Sequence, residues 1–185
     1  MFRHAQICLL VVTSLFVLSA CATASLPSQM AASPNTTPTA TSSEPGYHQM
    51  RVVQVQGGRK TSPLGESDVS NSDFKAALEA SLRTSGLMQD DDAQAHLNLT
   101  ASIIDLKRPI AGFNMTVISK VRYTVVQVGS TDPVFDQTIA ASGTASFGSA
   151  LLGVERLRKA NEAAMQANIA SFLTQFRASL LVPQK

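Results

Sequence analysis

The sequence predicts a two-layer α+β sandwich of order β-α-β-β-β-α, with two helices packed on one face of a mostly antiparallel four-stranded sheet. Three observations carry this. Three consecutive segments between residues 96 and 147 alternate apolar and polar side chains with period two, as strands with one covered face do. Two other segments, 71–85 and 154–181, place their apolar residues at helical spacing. Turn residues separate the alternating segments: Pro109 and Gly112 in the first connection, Gly129 and Asp132-Pro133 in the second.

The elements follow in order from about Tyr47. Met50 to Gln56 reads as the first strand; Gly57-Gly58 ends it, and Arg59 to Val69 is a polar loop with Pro63 and Gly65. Asn71 to Ser85 is the first helix. Ser70 or Ser72 can cap it, Asp73 suits the dipole in its first turn, and Phe74, Ala77, Leu78, Ser81 and Leu82 make a narrow apolar stripe. Gly86 fits the left-handed position past the helix end, which sets Leu87 against Leu82 in a Schellman ending. Asp90-Asp91-Asp92 lacks the alternating ligands and glycine turn of a calcium loop and reads as a solvated acidic loop.

Of the three alternating strands, the first sets Leu97, Leu99, Ala101 and Ile103 inward. The second sets Met115, Val117, Val121, Tyr123 and Val125 inward, and the third Phe135, Ile139, Ala141, Ala145 and Phe147. The last helix runs from about Val154 to Leu181, with Pro183 just beyond. Its stripe is Val154, Leu157, Ala164, Met165, Ile169, Phe172, Phe176 and Leu180. Asn161 and Asn168 fall on or near it, so as buried amides they should bond a strand edge or a neighbouring loop; a binding role is the alternative.

Ahead of this domain lie a signal and a tether. Met1 to His4 is a short n-region with Arg3, and Ala5 to Leu18 is an apolar run too short for a comfortable transmembrane helix. Leu18-Ser19-Ala20-Cys21 resembles a bacterial lipobox. The resemblance implies removal of residues 1–20 and acylation of Cys21, with palmitate-like chains that anchor the protein to a membrane; an ordinary cleavage site or an uncleaved anchor is the alternative. By the same resemblance, in which an aspartate after the cysteine marks inner-membrane retention, Ala22 implies the outer membrane with the domain in the periplasm. Residues 22–46 are rich in Ala, Ser, Thr and Pro, with no charge before Glu44, and read as a disordered tether with an r.m.s. span of about 25–30 Å. The division is therefore 1–20 signal, 21–46 lipidated cysteine and tether, 47–185 domain.

Removal of residues 1–20 leaves 14 basic and 13 acidic residues, a net charge of +1, which argues against nucleic acid as a partner. It also removes Cys8; with Cys21 acylated, no thiol remains for catalysis, a disulfide or a metal. His48 and His96 are the remaining histidines, without neighbouring ligands. No nucleophile elbow, phosphate loop or His-Glu-x-x-His motif occurs, so neither an enzyme nor a cofactor is expected.

Two basic features remain. Lys120 and Arg122 point the same way from the uncovered sheet face, with Thr124 extending the row. They are the candidate binding surface, for lipid phosphates or an acidic protein; the plainer reading is a solvated face with Asp136 as charge partner across the hairpin. Arg156, Arg158 and Lys159 cluster at the start of the last helix, where they oppose its dipole but can pair as Glu155–Lys159 and Arg158–Glu162; a basic docking patch is the alternative.

With lipobox, polar tether and element order together, residues 47–182 resemble small Gram-negative envelope lipoproteins. The nearest types are the LPS-assembly lipoprotein and the ABC-type transport auxiliary lipoproteins. The segment Arg156-x-x-x-Ala160-Asn161-Glu162-x-Ala164-x-x-x-Asn168-Ile169 looks like the closing helix of such proteins. The resemblance implies a non-enzymatic accessory subunit of an envelope transport or assembly complex, with an envelope protein as partner. The alternative is a stand-alone lipid- or glycolipid-binding module, which would need an apolar pocket between sheet and helices.

Overall fold

A computed structural model describes residues 23–35, 37–62, 67–109 and 112–181. The elements in chain order are α1 (Pro27–Met30), β1 (Met50–Gln56), α2 (Asn71–Thr84), β2 (Leu97–Lys107), β3 (Met115–Gln127), β4 (Pro133–Ala145) and α3 (Gly153–Leu181). The four strands form one sheet in sequence order. β2, β3 and β4 are the antiparallel meander that alternation predicts, whereas β1 runs parallel to β2. The sheet is thus mixed. The parallel pair follows from the helix between β1 and β2, since a crossover returns the chain to the same end of the sheet.

Both long helices cover the face formed by Leu97, Leu99, Ala101, Val121, Tyr123, Val125, Phe135 and Ile139, all buried. The α2 boundaries are those the residues dictate. Ser70 Oγ accepts from Asp73 N at 3.1 Å at the start. At the end, Gly86 has φ +72, Leu87 N donates to Leu82 O at 2.9 Å and Gly86 N to Arg83 O at 3.0 Å, a complete Schellman pair. The layer between sheet and α3 is filled by rings. Tyr123 stacks on Phe172 with centroids 4.2 Å apart, and Phe135 meets Phe172 and Phe176 edge-on.

At the other end of α3 helix and sheet approach much more closely. A Cβ on Gly143 would lie 2.1 Å from Ala164 N and 2.5 Å from Ala163 C, so the helix backbone sits directly on the strand. Ala160, Ala164 and Val117 complete this small-residue contact. Both amides on the α3 stripe bond a strand or a neighbouring loop, Asn168 through its nitrogen and its oxygen and Asn161 through its nitrogen alone, its buried Oδ1 having no partner among the described residues. Asn168 donates to Ser119 Oγ (3.1 Å) and Ile139 O (2.9 Å) and accepts from the Tyr123 hydroxyl (2.9 Å); Asn161 donates to Ser67 O at 2.8 Å.

Two expectations are corrected. Residues 23–35 and 37–46 do not hang free of the domain: Met30 is fully buried, and Ala32 and Ala40 are almost so. Pro27 opens the single turn α1, where a missing N–H costs nothing. The strap is then fastened across α2 and α3. Leu26 N donates to Glu162 Oε1, Ala32 N to Ser81 Oγ and Gln166 Nε2 to Ala31 O, each at 2.9 Å, and Ala40 N donates to Ser85 O at 2.8 Å. The segment lacks a core of its own but covers one already built, so its composition alone misleads. Phe147, expected inward, is 57% exposed because β4 ends at Ala145 and a 3₁₀ turn over Phe147–Ser149 swings the ring outward.

Candidate docking surface

The uncovered sheet face mixes polar side chains with exposed Ile104, Ile118 and Val134, and bears the two predicted cations at its centre. Arg122 lies beside Thr138 in register and grips Asp136 with both arms, Nε to Oδ1 at 2.7 Å and Nη2 to Oδ2 at 2.5 Å; Thr124 Oγ1 adds a 3.3 Å contact. The Arg122 hydrogen bonds hold the Asp136 carboxyl below the usual range. The charge partner expected across the hairpin is therefore in place, and Arg122 presents a neutralised pair rather than a bare cation. Lys120 lies opposite Asp105 and is exposed, with no ion pair among the described residues. Lys120 is thus the cation this face offers a partner.

Beside this face runs the β4 edge. β4 is 13 residues long and pairs only with β3; among the described residues its outer side has no backbone partner. Its outward side chains, Thr138, Ala140, Ser142 and Thr144, are small and exposed, so nothing bulky shields the backbone groups of the edge.

The basic cluster at the start of α3 turns inward. Arg156 is 8% exposed, donates through Nη1 to Ala150 O (2.9 Å) and Leu151 O (3.1 Å), and sits 5.1 Å from the Phe147 ring centroid. Arg158 bridges Glu155 and Glu162 at 2.8 and 2.7 Å. The expected Arg158–Glu162 pair forms. Glu155 takes Arg158 instead of Lys159, whose ammonium donates to Ser149 O. Arg158, and then the Thr23 hydroxyl, lower the Glu155 pKa. These cations tie down a loop and the N-terminal strap, so they form no docking patch.

The remaining candidates fall into place plainly. Cys21, the proposed lipidation site, lies outside the described residues. Asp90 pairs with Arg83 at 2.9 Å and Asp91 caps a 3₁₀ turn, consistent with a solvated loop. His48 and His96 are exposed. Sequence reasoning missed Ser119, a buried hydroxyl on the inner face that donates to Ala164 O at 3.1 Å; its inward place in the β3 alternation was the available signal.

No family model and no curated protein matches this chain. Solved structures do. A Xanthomonas campestris protein of the DUF330 family matches with TM-score 0.56 at 11% identity, over 77% of this chain and 91% of its own. A hypothetical protein of Chlamydia trachomatis matches with TM-score 0.50 at 12% identity, over 71% and 96%. A minor lipoprotein of Acinetobacter baumannii matches more loosely, with TM-score 0.47 at 11% identity, over 71% and 94%. At such identities the likeness is one of fold: this α+β sandwich is similar to whole small proteins of Gram-negative bacteria.

Proposed function

We propose that the chain is a lipoprotein of the Gram-negative envelope, anchored in the outer membrane through acylated Cys21 with its domain in the periplasm. It acts there as a non-enzymatic docking subunit of a transport or assembly complex. The observation that carries the docking role is the free β4 edge beside the Lys120 face. Pro133 and the bulge after it blunt only the start of β4; from Phe135 to Ala145 the edge, unpaired among the described residues and flanked by small side chains, is a template for strand addition. A pocket-bearing lipid-binding module is supported less well, because Tyr123, Phe172 and Phe176 fill the space such a pocket would occupy.

The test is a cross-linking pull-down of the acylated protein from membranes, beside an Ala140→Lys/Ser142→Lys variant that charges the edge and a Lys120→Glu variant. One envelope protein recovered in stoichiometric amount with the parent, and lost with the edge variant, is the expected result. A partner retained by both variants, or lipid recovered with no protein, would overturn the reading.

A further inference from the structure

Leu26, Val53, Ile104, Ile118, Val128, Val134 and Leu181 are exposed at scattered positions, but the two most exposed large apolar side chains stand together with two more. Leu151 is 99% exposed and Phe113 78%; Phe147 and Leu152 are about half exposed. All four lie in two connections, β2–β3 and β4–α3, at one end of the sheet. The connections touch, with the rings of Phe113 and Phe147 edge to face at 5.5 Å. The leucine loop is braced as well: Arg156 and Lys159 hold the carbonyls of Ser149, Ala150 and Leu151. A braced loop that presents leucine to water forgoes burial worth about 1.5–3 kcal/mol per side chain, so such a patch marks a contact.

The course of the chain indicates what covers it. Thr23 Oγ1 donates to Glu155 Oε1 at 2.8 Å, three residues past Leu152. Cys21 is two residues before Thr23, so it lies no more than about 8 Å away. Acyl chains on Cys21 would start at the end that carries the apolar tips. Charge leans the same way. Among the described residues, exposed Arg59 and Lys60 follow β1 and Lys107 ends β2 here, three cations against the one exposed carboxylate of Asp105, whereas Asp91, Asp92 and Asp132 lie at the opposite end, before β2 and β4, where Asp90 is paired with Arg83.

We propose that this end of the domain rests in the bilayer surface. Phe113, Phe147, Leu151 and Leu152 insert at the headgroup–acyl boundary, and the basic rim meets lipid phosphates. This rests on the reading of Cys21 as acylated, and adds that the protein itself supplies a second membrane contact that sets its orientation. α3, about 43 Å long at 1.5 Å per residue, then leads away from the membrane. The β4 edge stands across the periplasmic side instead of roaming on a tether.

The chain contains no tryptophan, which makes single tryptophans clean depth probes. Full-length acylated protein is reconstituted in phosphatidylethanolamine–phosphatidylglycerol vesicles whose lipids are brominated high in the acyl chain. Leu151→Trp and Phe113→Trp should shift to the blue and lose most of their emission. Val128→Trp, at the exposed β3–β4 hairpin, should keep its emission. Acylated, vesicle-bound protein in which Leu151→Trp and Phe113→Trp are quenched no more than Val128→Trp would overturn this proposal alone. An intact mass showing unacylated Cys21 would overturn it together with the anchor.

Discussion

Met30→Ala asks whether the N-terminal strap is part of the folded domain. Met30 is fully buried, sits at the end of α1 and joins the main core beside α2 and α3. The substitution removes three side-chain heavy atoms. Met→Ala in a core costs about 2–5 kcal/mol, and the strap can close partly over the gap, so we expect about 2–3 kcal/mol here. At 1.4 kcal/mol per factor of ten, a cost of about 2 kcal/mol raises the opened population of the strap roughly 30-fold. Proteolysis tracks that population when opening and closing are fast. The assay is the cleavage rate within residues 23–46 by a broad-specificity protease, together with denaturant unfolding of the same protein. Gln29→Ala, one residue away on the exposed side, should stay within about 0.5 kcal/mol of the parent. Rapid cleavage of the parent in this stretch, with Met30→Ala and Gln29→Ala indistinguishable from it, would refute the reasoning.

Other substitutions test the packing. Gly143→Ala should destabilise by about 3 kcal/mol, the upper end for overpacking, because the new methyl meets helix backbone that cannot rotate away. Gly148→Ala, with open space around it, should leave thermal unfolding unchanged. Asn168→Leu takes the acceptor from the buried Tyr123 hydroxyl and a donor from the Ile139 carbonyl, while Ser119 keeps its bond to Ala164 O, and should cost about 1–3 kcal/mol for each group left unsatisfied. A double-mutant cycle with Tyr123→Phe should show coupling. Acid should loosen the strap. Glu155 has its pKa lowered in the folded state, so the stability it contributes is full above the usual carboxylate range and is lost as pH falls through the lowered value. Cleavage near Thr23 should therefore rise only below about pH 4.5, and Glu155→Gln should show raised cleavage already at neutral pH with little further change in acid.

Much of the fold is legible because local and tertiary signals agree. The Ser70 cap, Gly86 and Leu87 bound α2 in sequence as in space, and the inward residues of β2 and β3 stand where alternation puts them. Misreadings arise where a signal is local and its outcome is not. Residues 22–46 look too poor in apolar side chains to fold, yet Met30, Ala32 and Ala40 need only cover a groove made by other elements. The absence of charge before Glu44 was the available hint, since solvated tethers usually carry some. Phe147 continues the period-two pattern but lies beyond the strand, and periodicity does not mark where pairing stops. On the candidate surface, Lys120, Arg122 and Asp136 could be placed from strand parity. The apolar end could not, because it assembles from loops with no period.

The account depends above all on the strap, since it fixes which end of the domain faces the anchor. Native-state hydrogen exchange of the acylated protein in vesicles measures it directly. The amides of Leu26, Ala32 and Ala40, which donate to Glu162, Ser81 and Ser85, should be protected at least about 100-fold, the population ratio for an opening free energy near 2.7 kcal/mol. Exchange of all three at the rate of an unstructured chain would mean that residues 22–46 are a free tether, and the orientation at the membrane would fall with the strap.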